Sequence, residues 1–452
     1  MGTSSGRVDA VLGIDIGSTN VKVVALDAAG HVVARVHRAT PRPADEPSID
    51  AARLFDTIEE MALAACGDRY AVTAASAAGV GEDGVLVDAG LAPLTRALPW
   101  FDPRRTELFD ALKPSLGPAD GIGTATDAAR TLVGWAWARA RPGAEPAASW
   151  IALTDYVASR WSGTAFLSDT LAARTGAWRP LARTWIDARV EATLGSAQLL
   201  PAVLRTGAAA GELRSPRLAE AGVLAPGALV VAGGHDHPVG GWGVDRLHPG
   251  AVLDSMGTAE VVVAQTRVPP DLSPGAFDVS PGIHNASGAT VLRVVELARN
   301  MQWASRDPDV AHALNQLISG SAAPDDGLYS HAFRPGAAGG HAPSYAPQAP
   351  AKPLSRASAV LGALAALGDQ AITSIQTLTE ADTPVYTAGG WARSRGWLDI
   401  KRAVTGKDAR GIAEPEVTAV GAALLAAHAL GWSPSVTTAL NCHPETSGST
   451  AH

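Results

Sequence analysis

The sequence predicts an α/β protein of two similar halves facing each other across a cleft, and three observations carry that expectation. A strand–glycine turn–strand unit occurs twice, as VLGIDIGSTNVKVVAL near residue 11 and AVLDSMGTAEVVVAQ near residue 251, with Gly17 and Gly257 240 residues apart. Short apolar strands run into glycine pairs and then into helices, at Gly233-Gly234 and at Gly389-Gly390. Finally, 452 residues with 46% hydrophobic and 18% charged side chains suffice for two or three domains with sizeable cores, and exclude a disordered chain.

Taken in order, residues 11–16 form an apolar strand, 17–19 a tight turn, 21–26 a second strand, and 31–36 a third, β-branched and alternating. Residues 120–220 are mostly helical in pattern, rich in alanine, leucine and tryptophan. A short buried strand at 228–232 precedes a helix that begins near Pro238. Residues 251–255 and 260–265 repeat the hairpin. Residues 335–353, rich in proline, glycine and alanine, read as a long loop. Residues 384–387, 389–390 and 391–405 read as strand, turn and helix, 416–430 as a helix of small residues, and the tail from Ser433 as loosely held. Domains are expected at 1–247 and 248–432, followed by a polar tail, 433–452.

Charge and cysteine content narrow the functional classes. With 36 basic and 44 acidic side chains the net charge is −8, which argues against general nucleic-acid or acidic-membrane binding. An anionic ligand would need local groups and a metal ion to offset that charge. Cys66 and Cys442 make no disulfide framework and no zinc pattern, so a reducing, cytoplasmic setting is expected. The start MGTSSGRVDAVLGID lacks the basic and apolar regions of a signal peptide, and the apolar stretch at 419–432 is too short to span a bilayer.

Several groups stand where chemistry is available. Asp15-Ile16-Gly17-Ser18-Thr19 is either an ordinary hairpin turn or a turn whose N–H groups and hydroxyls cradle a phosphate. It is no P-loop, because the turn leads into a strand. Gly257-Thr258-Ala259-Glu260 admits the same two readings, and only the first copy carries a carboxylate two residues before its glycine. Asp236, in Gly233-Gly234-His235-Asp236-His237-Pro238, suits a helix start and equally a base that accepts a proton from a substrate hydroxyl. The flanking histidines raise a metal site, against which stands the absence of a third soft ligand nearby. Gly389-Gly390 is either a tight strand–helix connection or a place where a flat ring meets the backbone. Glu82 and Asp102, beside turns, are by themselves solvated loop residues as readily as ligands. Of the 12 tryptophans most belong to cores, with one or two available to line a sugar site.

As a set, the motifs VLGIDIGSTNVKVVALD, WFDPRR, LTDYVASRWSG with SDTLAARTGAW, GGHDHPVGGWGV, DSMGTAE, and AGGWARSRGWLDIKRAVTG with EPEVTAVGAALLAAHALG resemble the FGGY family of carbohydrate kinases, in the family's order, from about residue 10 to about 431. The resemblance implies two actin-like (ribonuclease H-like) domains flanking a deep catalytic cleft. It implies an ATP- and Mg2+-dependent phosphotransferase acting on a primary hydroxyl of a sugar or polyol, with a xylulose-like ketopentose as the leading substrate. By position, Asp236 matches the general base and Asp15 the carboxylate that holds magnesium through water. Gly17, Ser18 and Thr19 match the β/γ-phosphate turn, and Gly257 and Thr258 its counterpart. Gln302, Gly389, Gly390 and Ser394 match nucleotide-site positions, and Glu82, Trp100, Asp102 and His237, with Asp236, substrate contacts. Nucleic acid and membrane are not implied as partners; a homodimer is the assembly it allows. Three departures stand out: the segment around 338–343 is poorly matched, Arg356-Ala357 lacks the family's following glutamate, and a lysine expected before Trp137 is missing. They keep open the alternative of a degenerate, non-catalytic nucleotide- or sugar-binding sensor of the same fold.

Overall fold

The computed structural model describes residues 6–44, 46–271, 277–337, 340–379 and 383–442. It divides into two compact units, one of Met1–Leu247, Thr266–Thr290 and Glu416–His452, the other of His248–Gln265 and Val291–Pro415. The expected second domain was continuous from 248 to 432; here the chain returns twice to the first unit.

The first unit is built on a six-stranded sheet in the order Ala209–Glu212, Leu224–His235, Tyr70–Gly79, Val8–Ile16, Asn20–Asp27, Val32–Ala39. Val8–Ile16 lies parallel to Tyr70–Gly79 and antiparallel to Asn20–Asp27, so the expected three-strand meander is present. Leu12, Ile14, Ile16, Val21 and Val23 are fully buried, as strands covered on both faces require. The helix Val417–Ala429 is almost wholly buried, which explains why its sequence shows small residues rather than an amphipathic stripe. It lies so close to the first strand that a Cβ at Gly13 would come within 1.9 Å of the Ala419 carbonyl oxygen. That contact returns residues 417–429 to the first unit. The same helix meets helix Asp236–Asp245 through Gly421, where a Cβ would approach the Val239 carbonyl at 2.6 Å. Gly421 on one helix and Gly243 on the other, whose Cβ would lie 3.4 Å from Gly421 Cα, thus seat the helix that begins with Asp236. Trp135, Trp150 and Trp178 fill a satellite core in the segment expected to be helical, which also contains short strands such as Ser149–Ala152 and Phe166–Ser168.

In the second unit, five strands of a second six-stranded sheet run in the order Ala289–Val295, Glu260–Thr266, Val252–Met256, Val385–Ala388, Arg410–Gly411. Val252–Met256 pairs antiparallel with Glu260–Thr266 and parallel with Val385–Ala388. Helices Pro308–Ser319, Pro353–Gln376 and Arg395–Thr405 share a core around Leu314, Leu361, Leu364 and Trp397. Pro353–Gln376 is the one described helix long and apolar enough to cross a membrane, and most of its apolar window is buried within the protein.

Two expectations change. The stretch 335–353 is not wholly loop: Phe333–Arg334 and Ser344–Tyr345 pair antiparallel, and the long helix starts at Pro353. Its poorly matched part, 338–343, includes residues 338 and 339, which lie outside the described residues. The tail is docked as far as Cys442. Ala439 and Leu440 are fully buried, and Ser435 donates its N–H to the Ala29 carbonyl at 3.1 Å. Two apolar side chains in a polar-looking segment were enough to anchor it. Residues 443–452 are outside the described part.

Candidate active site

Three parallel strands of the first unit end side by side. Gly79, the last residue of its strand, is in register with Ile16 on one side and with His235 on the other. The chain leaves those ends as the Gly17–Thr19 turn, the Val80–Glu82 segment and the Asp236 helix. Side chains far apart in sequence therefore meet at one carboxyl edge, the usual ligand edge of parallel sheets.

In the turn, carbonyls are taken from one side. Thr40 Oγ1 donates to Gly17 O at 2.7 Å, Arg42 donates to Ser18 O, and the Thr40 N–H donates to Thr19 O at 2.9 Å. Gly17 N–H closes the turn on Asn20 O at 3.0 Å, while the N–H groups of Ser18 and Thr19 bond nothing among the described residues. Trp100, 42% exposed, donates its indole N–H to Ser18 Oγ at 2.8 Å.

Asp15 is buried and faces Lys22 across the hairpin, Oδ2 to Nζ 3.1 Å. The same ammonium pairs with Glu416 at 3.1 Å. Burial pushes the Asp15 carboxyl up to about 6 against the pull of Lys22, with Asp236 and Glu416 adding to the rise. Despite burial, Asp15 and Glu416 hold Lys22 above the ordinary lysine range. Two carboxylates thus share one ammonium, with Asp236 close enough to add to the negative charge on Asp15, and Asp15 Oδ1 accepts no hydrogen bond among the described residues. A hard oxygen donor in a locally over-negative site fits Mg2+ held through water.

Asp236 opens its helix. Its Oδ1 accepts the His237 N–H at 2.7 Å and lies 3.2 Å from His235 Nε2 and 3.7 Å from His237 Nε2. Oδ2 accepts nothing among the described residues, and the side chain is 25% exposed. Burial drives His235 down to about 3, so its ring is neutral at working pH. The N-cap position falls to His235, so Asp236 does not cap the helix as its sequence suggested; it is the first helical residue and presents a carboxylate oxygen.

Glu82 is buried, and its Oε1 receives Arg174 through Nε and Nη2, each at 2.7 Å. Arg174 Nη1 reaches Asp278 at 2.8 Å, and Asp278 also takes Arg130. Although burial opposes it, the two guanidinium groups hold Asp278 far below the usual carboxylate range. Gly81 leaves the room: a Cβ there would meet Arg174 Cγ at 2.5 Å and His235 Cδ2 at 2.8 Å. Glu82 is thus no solvated loop residue, but one of its oxygens is already engaged. Asp102 is buried with both oxygens on its neighbour Arg104, at 2.9 and 2.7 Å, which gives it a local structural bond rather than an open carboxylate.

In the second unit, the hairpin Val252–Met256/Glu260–Thr266 exposes Gly257 and Thr258 at its tip. Thr258 O accepts the Ala298 N–H at 3.0 Å, which brings the helix Leu297–Ala304 and its exposed Gln302 beside the turn. Gly389 has φ +93°, and a Cβ there would lie 2.4 Å from Met256 O, so only glycine fits. A Cβ at Gly390 would meet nothing within 4 Å, which leaves open space beside the backbone. Ser394 caps the helix Arg395–Thr405 and donates its hydroxyl to Ile318 O at 2.5 Å.

Sequence reasoning missed Lys22, Glu416, Arg174 and Asp278. Lys22 was findable: hairpin pairing through the Gly17 turn sets it opposite Asp15. Arg174 and Asp278 gave no local signal, since they meet only through tertiary packing.

The chain matches the family model described as "FGGY family of carbohydrate kinases, N-terminal domain" over residues 10–243. A xylulose kinase of Streptomyces coelicolor is 29% identical over 271 residues, 57% of this chain and 54% of that protein, so this alignment spans about half of that relative's length. The xylulose kinase of Streptomyces rubiginosus is 28% identical over 451 residues, covering 92% of this chain and 87% of that protein. Among solved structures, a ligand-bound xylulose kinase from Lactobacillus acidophilus superimposes with TM-score 0.80 at 16% identity, covering 95% of this chain and 91% of the other. That likeness shows the two-domain actin-like ATPase fold.

Proposed function

Because this chain belongs to the FGGY family of carbohydrate kinases, phosphotransferases with an alcohol group as acceptor, we propose that it transfers the γ-phosphoryl of ATP to a primary hydroxyl of a ketose or polyol, with a xylulose-like ketopentose as the preferred substrate. The observation that carries the proposal is the convergence of three strand ends, which bring the Asp15 turn, Glu82 and Asp236 to one edge.

Phosphoryl transfer is mostly positioning and charge neutralisation. In the proposed mechanism Asp236 accepts the proton of the attacking hydroxyl on Oδ2, the oxygen its own turn leaves open. His235, neutral, and His237 hold the other oxygen and orient the carboxylate. Glu82, fixed by Arg174, offers its second oxygen to substrate hydroxyls further along. In the first unit the N–H groups of Ser18 and Thr19 offer donors to a phosphate; in the second, the Thr258 hydroxyl offers another and Gly390 leaves room for the adenosine. Mg2+ when bound neutralises phosphate charge, with Asp15 as the residue that holds it. The buried thiols, Cys66 and Cys442, fit a cytoplasmic setting.

A coupled assay of ADP release over pentuloses, hexuloses, aldonates and polyols tests the proposal. Sugar-dependent turnover, highest with a ketopentose, is expected. ATP binding without turnover on any member would favour the sensor reading, which the alteration at 338–343 keeps in play.

A further inference from the structure

The second unit contains a buried ion triad that the proposed reaction does not use. Lys401, on the helix Arg395–Thr405, places its ammonium 2.6 Å from Asp254 and 2.6 Å from Glu260. The two carboxylates stand on opposite strands of the Gly257–Thr258 hairpin, one on each side of its turn. Side-chain exposure is 10% for Lys401, 1% for Asp254 and 0% for Glu260. Burying three ionisable groups is costly unless geometry and further bonds are good, so the arrangement calls for a reason.

The packing supplies one. Met256 is paired with Glu260 across the hairpin, and alternation puts Asp254, Met256 and Glu260 on the same face. Trp397 and Lys401, four residues apart, share the facing side of the helix. Trp397 donates its indole N–H to Met256 Sδ at 3.1 Å, and Lys401 reaches the same sulfur at 3.6 Å. Ser394 caps this helix, and only the short helical turn Trp391–Arg393 separates that cap from Gly389-Gly390. Glycine at 368, inside the helix Pro353–Gln376, makes room for the triad, since a Cβ there would lie 2.3 Å from Glu260 Oε1. Glycine is a poor residue for a helix interior, so the notch is kept against helix propensity.

Resting on the kinase reading above, we infer that Lys401 is a positioning residue for the nucleotide: its ammonium pins both strands of the Thr258 hairpin to the helix that starts at the Gly390–Ser394 segment. The phosphate turn and the adenosine segment are then held at a fixed separation by one buried group that touches neither ligand. Burial, with Asp254 beside it, pushes the Glu260 carboxyl above the usual carboxylate range, against the pull of Lys401. Asp254 Oδ1 and Glu260 Oε2 have no other partner among the described residues, so removing Lys401 leaves nothing to replace it.

The test compares wild type, Lys401→Met, the charge-neutral pair Lys401→Met/Asp254→Asn, and Gly368→Ala, which pushes on Glu260 without altering any charge. ATP affinity is read by calorimetry without sugar, KM for ATP and for sugar by coupled turnover, and folding by thermal melts. The expected result is at least a tenfold weaker ATP affinity in Lys401→Met and in Gly368→Ala, with sugar KM within about twofold of wild type. The neutral pair should recover melting temperature but not ATP affinity. Recovery of both together would make the triad merely structural and overturn the inference, as would unchanged ATP affinity in Lys401→Met. A wild-type protein that binds no ATP overturns the kinase reading itself, an outcome separate from a variant that matches a competent wild type.

Discussion

Replacing Asp236 by asparagine tests the proton-accepting role proposed for it. Asparagine keeps the size of the side chain and an acceptor for the His237 N–H, now 2.7 Å from Oδ1. The fold loses little: a carboxylate in the first turn of a helix contributes about 0.3–1 kcal/mol. The chemistry loses much more. General-base assistance is typically worth about 10²–10⁴-fold in rate, or roughly 3–5.5 kcal/mol of barrier. The neutral ring of His235 and the half-exposed His237 do not compensate, because both face the oxygen already bound within the turn. The assay is ADP release coupled to NADH oxidation with saturating ketopentose, alongside calorimetric ATP affinity and a thermal melt. We expect kcat at least about 100-fold lower, with ATP affinity and melting temperature near wild type. A variant retaining more than about a tenth of wild-type turnover would refute the assignment of Asp236 as base.

Four further outcomes follow from the geometry. Glu82→Ala strands Arg174 against Asp278 alone and should raise sugar KM roughly 10–150-fold with little change for ATP; an equal loss on both substrates would reduce Glu82 to a structural anchor. Thr258→Ala and Ser18→Ala should each raise KM for ATP and leave sugar KM nearly unchanged, and a sugar-only effect in either would remove that hairpin from the phosphate site. Gly13→Ala drives a methyl group into the Ala419 carbonyl, 1.9 Å from the Cβ position, and should cost about 1–3 kcal/mol or more in urea unfolding; an unchanged midpoint would contradict the close strand–helix approach. Burial pushes Asp83 up to about 7, against the pull of Arg105, so the native chain holds a proton that the unfolded chain releases near pH 3.9. Between those values the native state binds more protons, and unfolding free energy falls as pH rises. Asp83→Asn should therefore lose less stability than wild type between pH 4.5 and 7.5, which urea midpoints at the two pH values would show; equal losses would argue that Asp83 is ionised in the fold.

By itself the sequence determined most of the elements and which candidate groups each motif carries. The Asp15 turn, the Thr258 turn and the Gly-Gly-His-Asp start of the Asp236 helix are local, because a glycine turn between apolar strands and an acid before a proline depend on a few neighbouring residues. The meander and both hairpins were legible for the same reason, and so was the family, since its motifs are short and ordered. Tertiary structure decided what those motifs touch. Helix Val417–Ala429 reads as an apolar stretch near the end of the chain; only its packing on Gly13 and Gly421 makes it part of the first unit. Glu82 reads as a polar loop residue until Arg174 and Asp278, about 90 and 200 residues further on, close around it. Asp102 looked equally available, and its bond to Arg104 closes it. Lys401 carries no local signal at all, because an ammonium 2.6 Å from two acids about 140 residues away exists only once strand pairing and helix docking have put it there. Periodicity and turn chemistry act over a few residues and can be read along the chain, whereas burial and charge pairing arise only after folding brings distant segments together.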